Sequence, residues 1–331
     1  MDLSNTNTHL VSIVMAVYNG EEFLAEAIDS MLKQTYKDFE FIIIDDGSID
    51  ESVKIIKSFG DPRIILLQNG ENLNLATSLN RGIKYARGKY IARMDADDIS
   101  LPKRLQRQVE YLEKHPEVGL VGVSRKLLIE GKLKKIYNVH SHEEIAIRLL
   151  FECPIIHSGV LFKKELFIAN NLLYNASFYR VQDYELWGRA IRHIKFAVLP
   201  KVLLYYRVKA KKFIDSIEIM ERKKYMYHIS KKQLIYTLGC NNINNTYLPL
   251  YIIENGVFLS KDKILRPKEI YIFFNKILLA KKYSPIRLRL YLGYKWLGLF
   301  VRTNNVQLLF YRYFYWGVIE FIRNKFISIF Y

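Results

Sequence analysis

Met94-Asp95-Ala96-Asp97-Asp98 is the stretch on which the fold turns. Its carboxylates follow directly on the apolar run Tyr90-Ile91-Ala92. An earlier apolar run, Phe41-Ile42-Ile43-Ile44, ends the same way in Asp45-Asp46-Gly47-Ser48. Two acidic turns at the ends of two buried strands are costly to hold together, and a divalent cation or a set of polar ligand groups is the usual compensation. In open α/β sheets, ligands bind outside the carboxyl ends of the strands. The pair of turns therefore implies a site for a metal-bound phosphate ligand, with a nucleotide fitting best.

The segments around the turns support that sheet. Val11 to Val17 is β-rich and apolar on both faces, as a buried parallel strand requires. Glu21 to Leu32 has helical spacing, with Phe23, Leu24, Ala27, Ile28 and Met31 on one side. Further strands are predicted at 39–44, 63–67, 89–94 and 118–123, and helices after Asp50, at 75–86 and at 102–114. The alternation predicts a mostly parallel sheet covered by helices on both faces. Beyond it, 143–151 and 183–191 read as helices and 157–162 as a strand.

Charge marks a boundary. The 331 residues carry a formal net charge of +17. From Lys201 to Tyr331 there are 24 Lys and Arg against 7 Asp and Glu, so the first 200 residues, with 26 of each, are neutral. The last third interleaves this charge with Tyr, Phe, Leu and Ile. None of its stretches reaches the roughly 18 uncharged apolar residues that span a bilayer. The uncharged run after Lys232 is broken by Asn241, Asn242, Asn244 and Asn245. Amphipathic helices lying in a membrane interface suit this composition, because Lys and Arg snorkel while rings sit among headgroups. Cys153 and Cys240 fit no metal spacing and read as reduced cytosolic thiols. The polar start, Met1 to Thr8, has no apolar region of a secretory signal. The triplets at Asn175 and Asn244 then carry no meaning as glycosylation sites.

Five signals in order carry a family resemblance. They are Val11 to Asn19, Ser30-Met31-Leu32-Lys33-Gln34-Thr35-Tyr36, Phe39 to Ser48, Gly88 to Asp98, and Leu101-Pro102-Lys103-Arg104-Leu105. The run resembles the family 2 glycosyltransferases, an inverting group with the GT-A fold, over about residues 10 to 207. The resemblance implies a Rossmann-like catalytic domain at 1–207 and a basic, mainly helical region at 208–331. It also implies a nucleotide-sugar donor, Mn²⁺ or Mg²⁺, and a hydroxyl acceptor.

The resemblance assigns roles residue by residue. Val17 and Tyr18 match the wall of the base pocket. Asp46 matches the acceptor of a uracil imide N–H, and Asp45 shapes the same turn. UDP is favoured over dTDP by family habit alone, since thymine presents the same imide. A bland alternative makes this turn a strand ending only. Asp95 matches the residue that contacts the ribose or the metal shell, and Asp97 the metal ligand. A hard cation takes oxygen ligands and offsets charge on the departing diphosphate. Asp97 or Asp98 also fits a cap for the helix near Pro102, and Asp98 fits that role best. Asp183, in Gln182-Asp183-Tyr184-Glu185, matches the general base, although an Asp at a helix start is also a routine cap. His157 lies in a segment that in relatives approaches acceptor and donor sugar, and it equally suits a structural histidine. Tyr206-Arg207 resembles an element near the diphosphate. Relatives often follow it with a histidine, where this chain has Lys209, which pairs with phosphate but is no imidazole ligand. Arg81 and Arg93 could face phosphate, with exposure to solvent the simpler reading. Leu73 to Thr77 lacks the glycine of many relatives, implying a stiffer loop.

A Gln-x-x-Arg-Trp element and membrane spans, both found in processive members, are missing from the sequence, which implies addition of a single sugar. The basic tail then suits the anionic inner face of a cell membrane, at about 1 kcal/mol per nearby Lys or Arg. Lipid-linked acceptors of surface polysaccharide or lipopolysaccharide synthesis reside there. An oligomer interface is the next reading, and nucleic acid is disfavoured because no recognised motif accompanies the charge. Two other functions are open. A sugar nucleotidyltransferase needs a glycine-rich basic loop, where Tyr18-Asn19-Gly20-Glu21-Glu22 is acidic. An inactive membrane scaffold is opposed by the intact Asp46, Asp95, Asp97 and Asp183.

Overall fold

The computed structural model describes residues 11–136, 139, 141–208, 216–240, 267–280, 282–303 and 312–319. Residues 1–10, Lys209, the stretch with Asn241 to Asn245, and tail residues 304–311 and 320–331 lie outside them, so the expectations for those segments are not taken further.

Strand β1 (Val11–Val17) lies between β2 (Phe39–Asp45) and β4 (Tyr90–Arg93), with β3 (Ile64–Gln68) beyond β2, and all four are parallel. Every residue of β1, β2 and β4 is buried, which is why these runs are apolar without alternation. Helix α1 (Glu21–Leu32) buries Leu24, Ala27, Ile28 and Met31. Helix α2 (Ser52–Ser58) follows β2. Helices α3 (Leu75–Tyr85) and α4 (Arg104–Lys114) bury Leu79 with Ile83, and Leu105 with Val109 and Leu112. Each such side chain contributes about 1.5–3 kcal/mol by leaving water. The sheet order reverses between β1 and β4, so the carboxyl ends of β1, β2 and β4 open on one crevice.

The other half of the sheet departs from the expectation. Among the described residues the sheet has nine strands in the order β3-β2-β1-β4-β8-β6-β9-β5, with β7 (Lys132–Lys135) on β6. Strand β6 (Val118–Ile129) runs past Val123 and pairs in parallel with β9 (Lys195–Val208), which the sequence pattern hides. The register slips where Leu199 pairs Val123 and Val202 pairs Ser124. Pro200 and Lys201 fill that bulge, and a proline without an N–H is tolerated at one. The segment expected as a strand from His157 is a 3-10 turn at His157–Gly159 followed by a short β8 (Leu161–Lys163), antiparallel to β4 and β6, which leads into helix α6 (Lys164–Ala169). β5 (Ile99–Ser100) pairs antiparallel with β9.

Two compact units emerge, Met1–Ser141 with Ile155–Phe213, and His142–Pro154 with Ile214–Tyr331. A single cut after residue 207 therefore differs from the structure in two places, the segment His142–Pro154 and the boundary itself, which falls after Phe213. His142–Pro154, with helix α5 (His142–Arg148), groups with the basic tail. In that second unit Ile147, Leu150 and Phe151 share a core with Phe273, Phe274, Leu292, Trp296 and Tyr313. Among the described residues, no helix is long and apolar enough to cross a membrane.

Candidate active site at the strand ends

The Asp46 turn is built by hydrogen bonds onto one oxygen. Asp46 is buried, and its Oδ1 accepts from Asn69 Nδ2 (2.7 Å), Ser78 Oγ (2.7 Å) and the Leu73 amide (3.0 Å). Arg81 is exposed, as expected, yet its guanidinium donates to the Gln68 carbonyl at 2.8 Å and to Asn69 Oδ1, and so fixes the Asn69 amide. Asp45 Oδ1 accepts from the Ser48 amide at 3.2 Å. Gly47 has φ +80°, and a Cβ there would lie 2.7 Å from the Glu71 carbonyl carbon, so only glycine fits. The loop without glycine instead holds Asn74 at φ 75° and ψ 158°, a region costly for any side chain, and Asn74 caps α3 through the Thr77 amide. Val17 is buried beneath the turn, whereas Tyr18 is 49 % exposed. The two expected wall residues thus sit at different depths.

The second turn gathers charge above two buried arginines. Arg93 is almost wholly buried, contrary to the solvent-facing reading. Its guanidinium pairs with Asp95 and donates to the Met94 carbonyl, and its Nε is buried with no partner. Arg104 is fully buried and donates to the Arg93 carbonyl (2.5 Å) and Gln108 Oε1 (3.2 Å). Burial pushes the Arg104 pKa down to about 9, against the pull of Asp98 and Asp95. Asp98 is not a cap, because the residue at the cap of α4 is Lys103. It is buried, receives Ser158 Oγ–H, and accepts the Arg207 amide on Oδ1 at 2.8 Å. Burial, and then the charge of Asp95, push its pKa up to about 8.

One further strand reaches this turn, and the remaining predicted carboxylate stands on a helix of its own. Arg207, near the end of β9, donates from Nε to the Asp97 carbonyl at 2.8 Å. Asp183 is the second residue of α7 (Gln182–Ala190), and its Oδ1 accepts the Tyr184 amide at 2.8 Å. The cap position is Val181, with no side-chain cap hydrogen bond, so the capping alternative for Asp183 does not describe its place. Asp183 and Asp95 both act on the Tyr174 hydroxyl. Burial raises the Tyr174 pKa, Arg93 lowers it, and the two carboxylates raise it further.

His157 belongs to the same neighbourhood through a partner of its own. Its Nε2 lies 2.7 Å from Tyr174 Oη, and the ring meets Trp187 edge-on at 6.2 Å between centroids. Burial, with the charge of Arg93, holds its pKa well below the usual value, so it is a neutral imidazole. Sequence reasoning missed Tyr174, Ser158 and Arg104. Arg104 enters the sequence reading only as part of the Leu101–Leu105 signal, and a lone Tyr and Ser carry no role in the sequence until folding places their partners beside them. Tyr206, singled out only as part of Tyr206-Arg207, has its pKa pushed up to about 12 by burial and by Asp95, Asp98 and Asp97.

The donor set suits a hard cation only in part. Among the described residues, no three His, Cys, Asp or Glu side chains converge as a metal cluster. Asp98 accepts from Ser158 and Arg207, and Asp95 pairs with Arg93. A one- or two-carboxylate shell completed by phosphate oxygens and water is the ordinary way Mg²⁺ is held.

Comparison with known proteins agrees with this geometry. Residues 12–168 match the family model for glycosyl transferase family 2. An uncharacterized glycosyltransferase of Methanocaldococcus jannaschii is 37 % identical over 253 residues, covering 71 % of this chain and 83 % of the relative. The O-antigen biosynthesis glycosyltransferase WbnJ of Escherichia coli is 33 % identical over 211 residues, covering 61 % and 81 %. The structure of Staphylococcus aureus TarS 1–349 with UDP-GlcNAc superposes with a TM-score of 0.58 at 16 % identity, covering 90 % of this chain and 88 % of that one. The mannosyltransferase PcManGT of Pyrobaculum calidifontis, with GDP-Man and Mn²⁺, gives 0.53 at 15 % identity, covering 94 % and 84 %. These structural likenesses establish the fold, a GT-A arrangement of mixed sheet and helices.

Proposed function

From the membership of this chain in glycosyltransferase family 2, we propose an inverting transferase that moves one sugar from a UDP-sugar to a hydroxyl of a glycan or lipid-linked acceptor. The observation that carries the reading is the pair of acidic turns at the carboxyl ends of β2 and β4, the strands on either side of β1, with Arg207 donating to the Asp97 carbonyl. The crevice at those strand ends suits a diphosphate, and Asp183 on α7 would be the base for the acceptor hydroxyl.

The roles follow from the chemistry of each group. Asp183 takes the acceptor's proton as its oxygen forms the bond to the anomeric carbon. The bond from that carbon to the phosphate oxygen breaks on the opposite face, and the nucleoside diphosphate departs. Asp97, with Asp95, would hold Mn²⁺ or Mg²⁺ against the diphosphate, where the cation neutralises leaving-group charge. Asp46 has Oδ1 filled by three donors, so Oδ2 is the oxygen for an imide N–H, and exposed Tyr18 with Val17 beneath flanks the ring. Arg207 supplies positive charge beside the same turn. His157 is hydrogen-bonded to Tyr174 and holds its hydroxyl in place. The UDP-GlcNAc held by TarS and the Mn²⁺ held by PcManGT support this assignment of donor and metal.

The O-antigen relative supports a place in surface-polysaccharide or lipopolysaccharide synthesis, with the basic second unit resting on the anionic inner face of the cell membrane. An oligomer contact is the second use of that unit. The test is donor hydrolysis by purified protein across UDP-, dTDP- and GDP-sugars, with Mn²⁺ or Mg²⁺ and with EDTA. Metal-dependent release of UDP from one donor is expected. If calorimetry with metal shows no nucleotide binding at all, the transferase reading fails and the scaffold reading leads.

A further inference from the structure

Arg207 is held by two kinds of partner. Its backbone N–H on Asp98 and its Nε–H on the Asp97 carbonyl belong to the acidic turn itself. The rest of the guanidinium leans on α1. It stacks 4.1 Å above the Phe23 ring, and its Nη2 pairs with Glu26 Oε2. Phe23 and Glu26 stand three residues apart on one helix face, so ring and carboxylate form one seat. The Arg207 side chain is 15 % exposed, whereas Glu26 is 54 % exposed.

That exposure makes Glu26 a poor structural anchor. A carboxylate so open to water gains little from an ion pair, and Arg207 already has two partners on the turn. An acid here has a different consequence: it neutralises the cation at the edge of the site that receives an anion. Resting on the reading of the strand-end crevice as a nucleotide-diphosphate site, we infer that Glu26 is an affinity-setting latch. It occupies Arg207 in the empty site, yields it to the incoming diphosphate, and reclaims it as the nucleoside diphosphate leaves. Nucleotide binding exchanges one anion for another on Arg207, so the diphosphate gains only the difference between the two pairings. The guanidinium suits such an exchange, because its fork accepts carboxylate and phosphate alike.

The test compares wild type with Glu26→Gln in calorimetric titrations with Mn²⁺ and whichever of UDP, dTDP and GDP the wild-type protein binds. Glutamine keeps the size of the side chain and removes its charge. Dissociation constants are expected to fall roughly fivefold, the span of a surface ion pair. The gain shrinks as salt rises, since the latch is screened. Steady-state turnover should show a lower KM with kcat unchanged or reduced, because product is held longer. In a background of Arg207→Met the Glu26 change should have no effect, since the two act as a unit. Equal or weaker nucleotide binding by Glu26→Gln, with an unchanged melting temperature, overturns the latch and leaves the transferase reading intact. A lowered melting temperature with weaker binding makes Glu26 a strut and overturns it as well. A wild-type protein that binds none of the three nucleotides removes the transferase reading first, and the latch with it.

Discussion

The acidic turn of the catalytic unit and the Glu152 cluster of the second unit set carboxylates against buried cations in opposite ways. In the turn, Asp98 is buried beside Asp95 and Asp97, and its pKa rises to about 8 despite hydrogen bonds from Ser158 and Arg207. In the cluster, burial also pushes Glu152 up, but Lys295 and Arg148 outweigh it and the pKa ends lowered. Lys295 Nζ lies 2.8 Å from one Glu152 oxygen and Arg148 Nη1 3.1 Å from the other. In one region burial and two neighbouring carboxylates disfavour the charged form of Asp98, and a bound cation would favour it. The other is balanced and holds its own segment in place. Two regions of similar composition thus part by the sign of the shift: an unbalanced cluster is a candidate site and a balanced one is a strut.

The sharpest way to break this contrast is to remove one carboxylate from each region. Asp183→Asn keeps the shape of α7 and removes the base. Turnover should fall by about 10²–10⁴-fold with nucleotide affinity and melting temperature preserved. An activity within threefold of wild type would remove Asp183 from the chemistry. Glu152→Ala should do the converse. It leaves Lys295 and Arg148 facing each other without their shared anion, costing about 2 kcal/mol, less than the loss of a fully buried pair because Glu152 retains some contact with water. Urea unfolding at pH 7 reads that loss. The Glu152 pKa is lowered on folding, so its contribution is complete above the usual carboxylate range and is lost as pH falls through the folded value. Turnover per folded molecule should stay near wild type. A large kcat loss without a stability loss would reverse the roles given to the two regions.

How much of this was legible in the sequence differs between the two turns. The parallel half, β1 to β4 with its helices, announces itself because strands buried on both faces must be apolar throughout, and Asp46, Asp95 and Asp97 follow from where those runs stop. The other half does not. Strand β9 carries Lys195, Pro200, Lys201 and Arg207, so its polar residues and its bulge hide a fourteen-residue strand. Arg93 and Arg104 look like surface residues until their burial is seen, because charge in a sequence does not say which side of the helix or sheet is covered. Asp98 looks like a cap for the same reason. Its partners Ser158 and Arg207 lie 60 and 109 residues away, and only the pairing of β4 with β8 and of β5 with β9 brings them to it.

Asp98 also supplies the gentlest probe of the contrast. A carboxyl whose folded pKa is about 8, against about 3.9 in an unfolded chain, holds its proton more tightly when folded. Its stabilising contribution is therefore complete below about pH 4 and is lost as the pH rises to about 8. Asn in its place is neutral at every pH, can still accept the Arg207 amide, and can donate to Ser158. In metal-free protein, urea midpoints for Asp98→Asn and wild type should therefore diverge between pH 5 and pH 8, with the variant gaining relative stability at the higher pH. Curves that stay parallel would mean that Asp98 is already ionised across this range, with Arg93 and Arg104 balancing it. The acidic turn would then be a strut of the Glu152 kind, its carboxylates matched by its arginines.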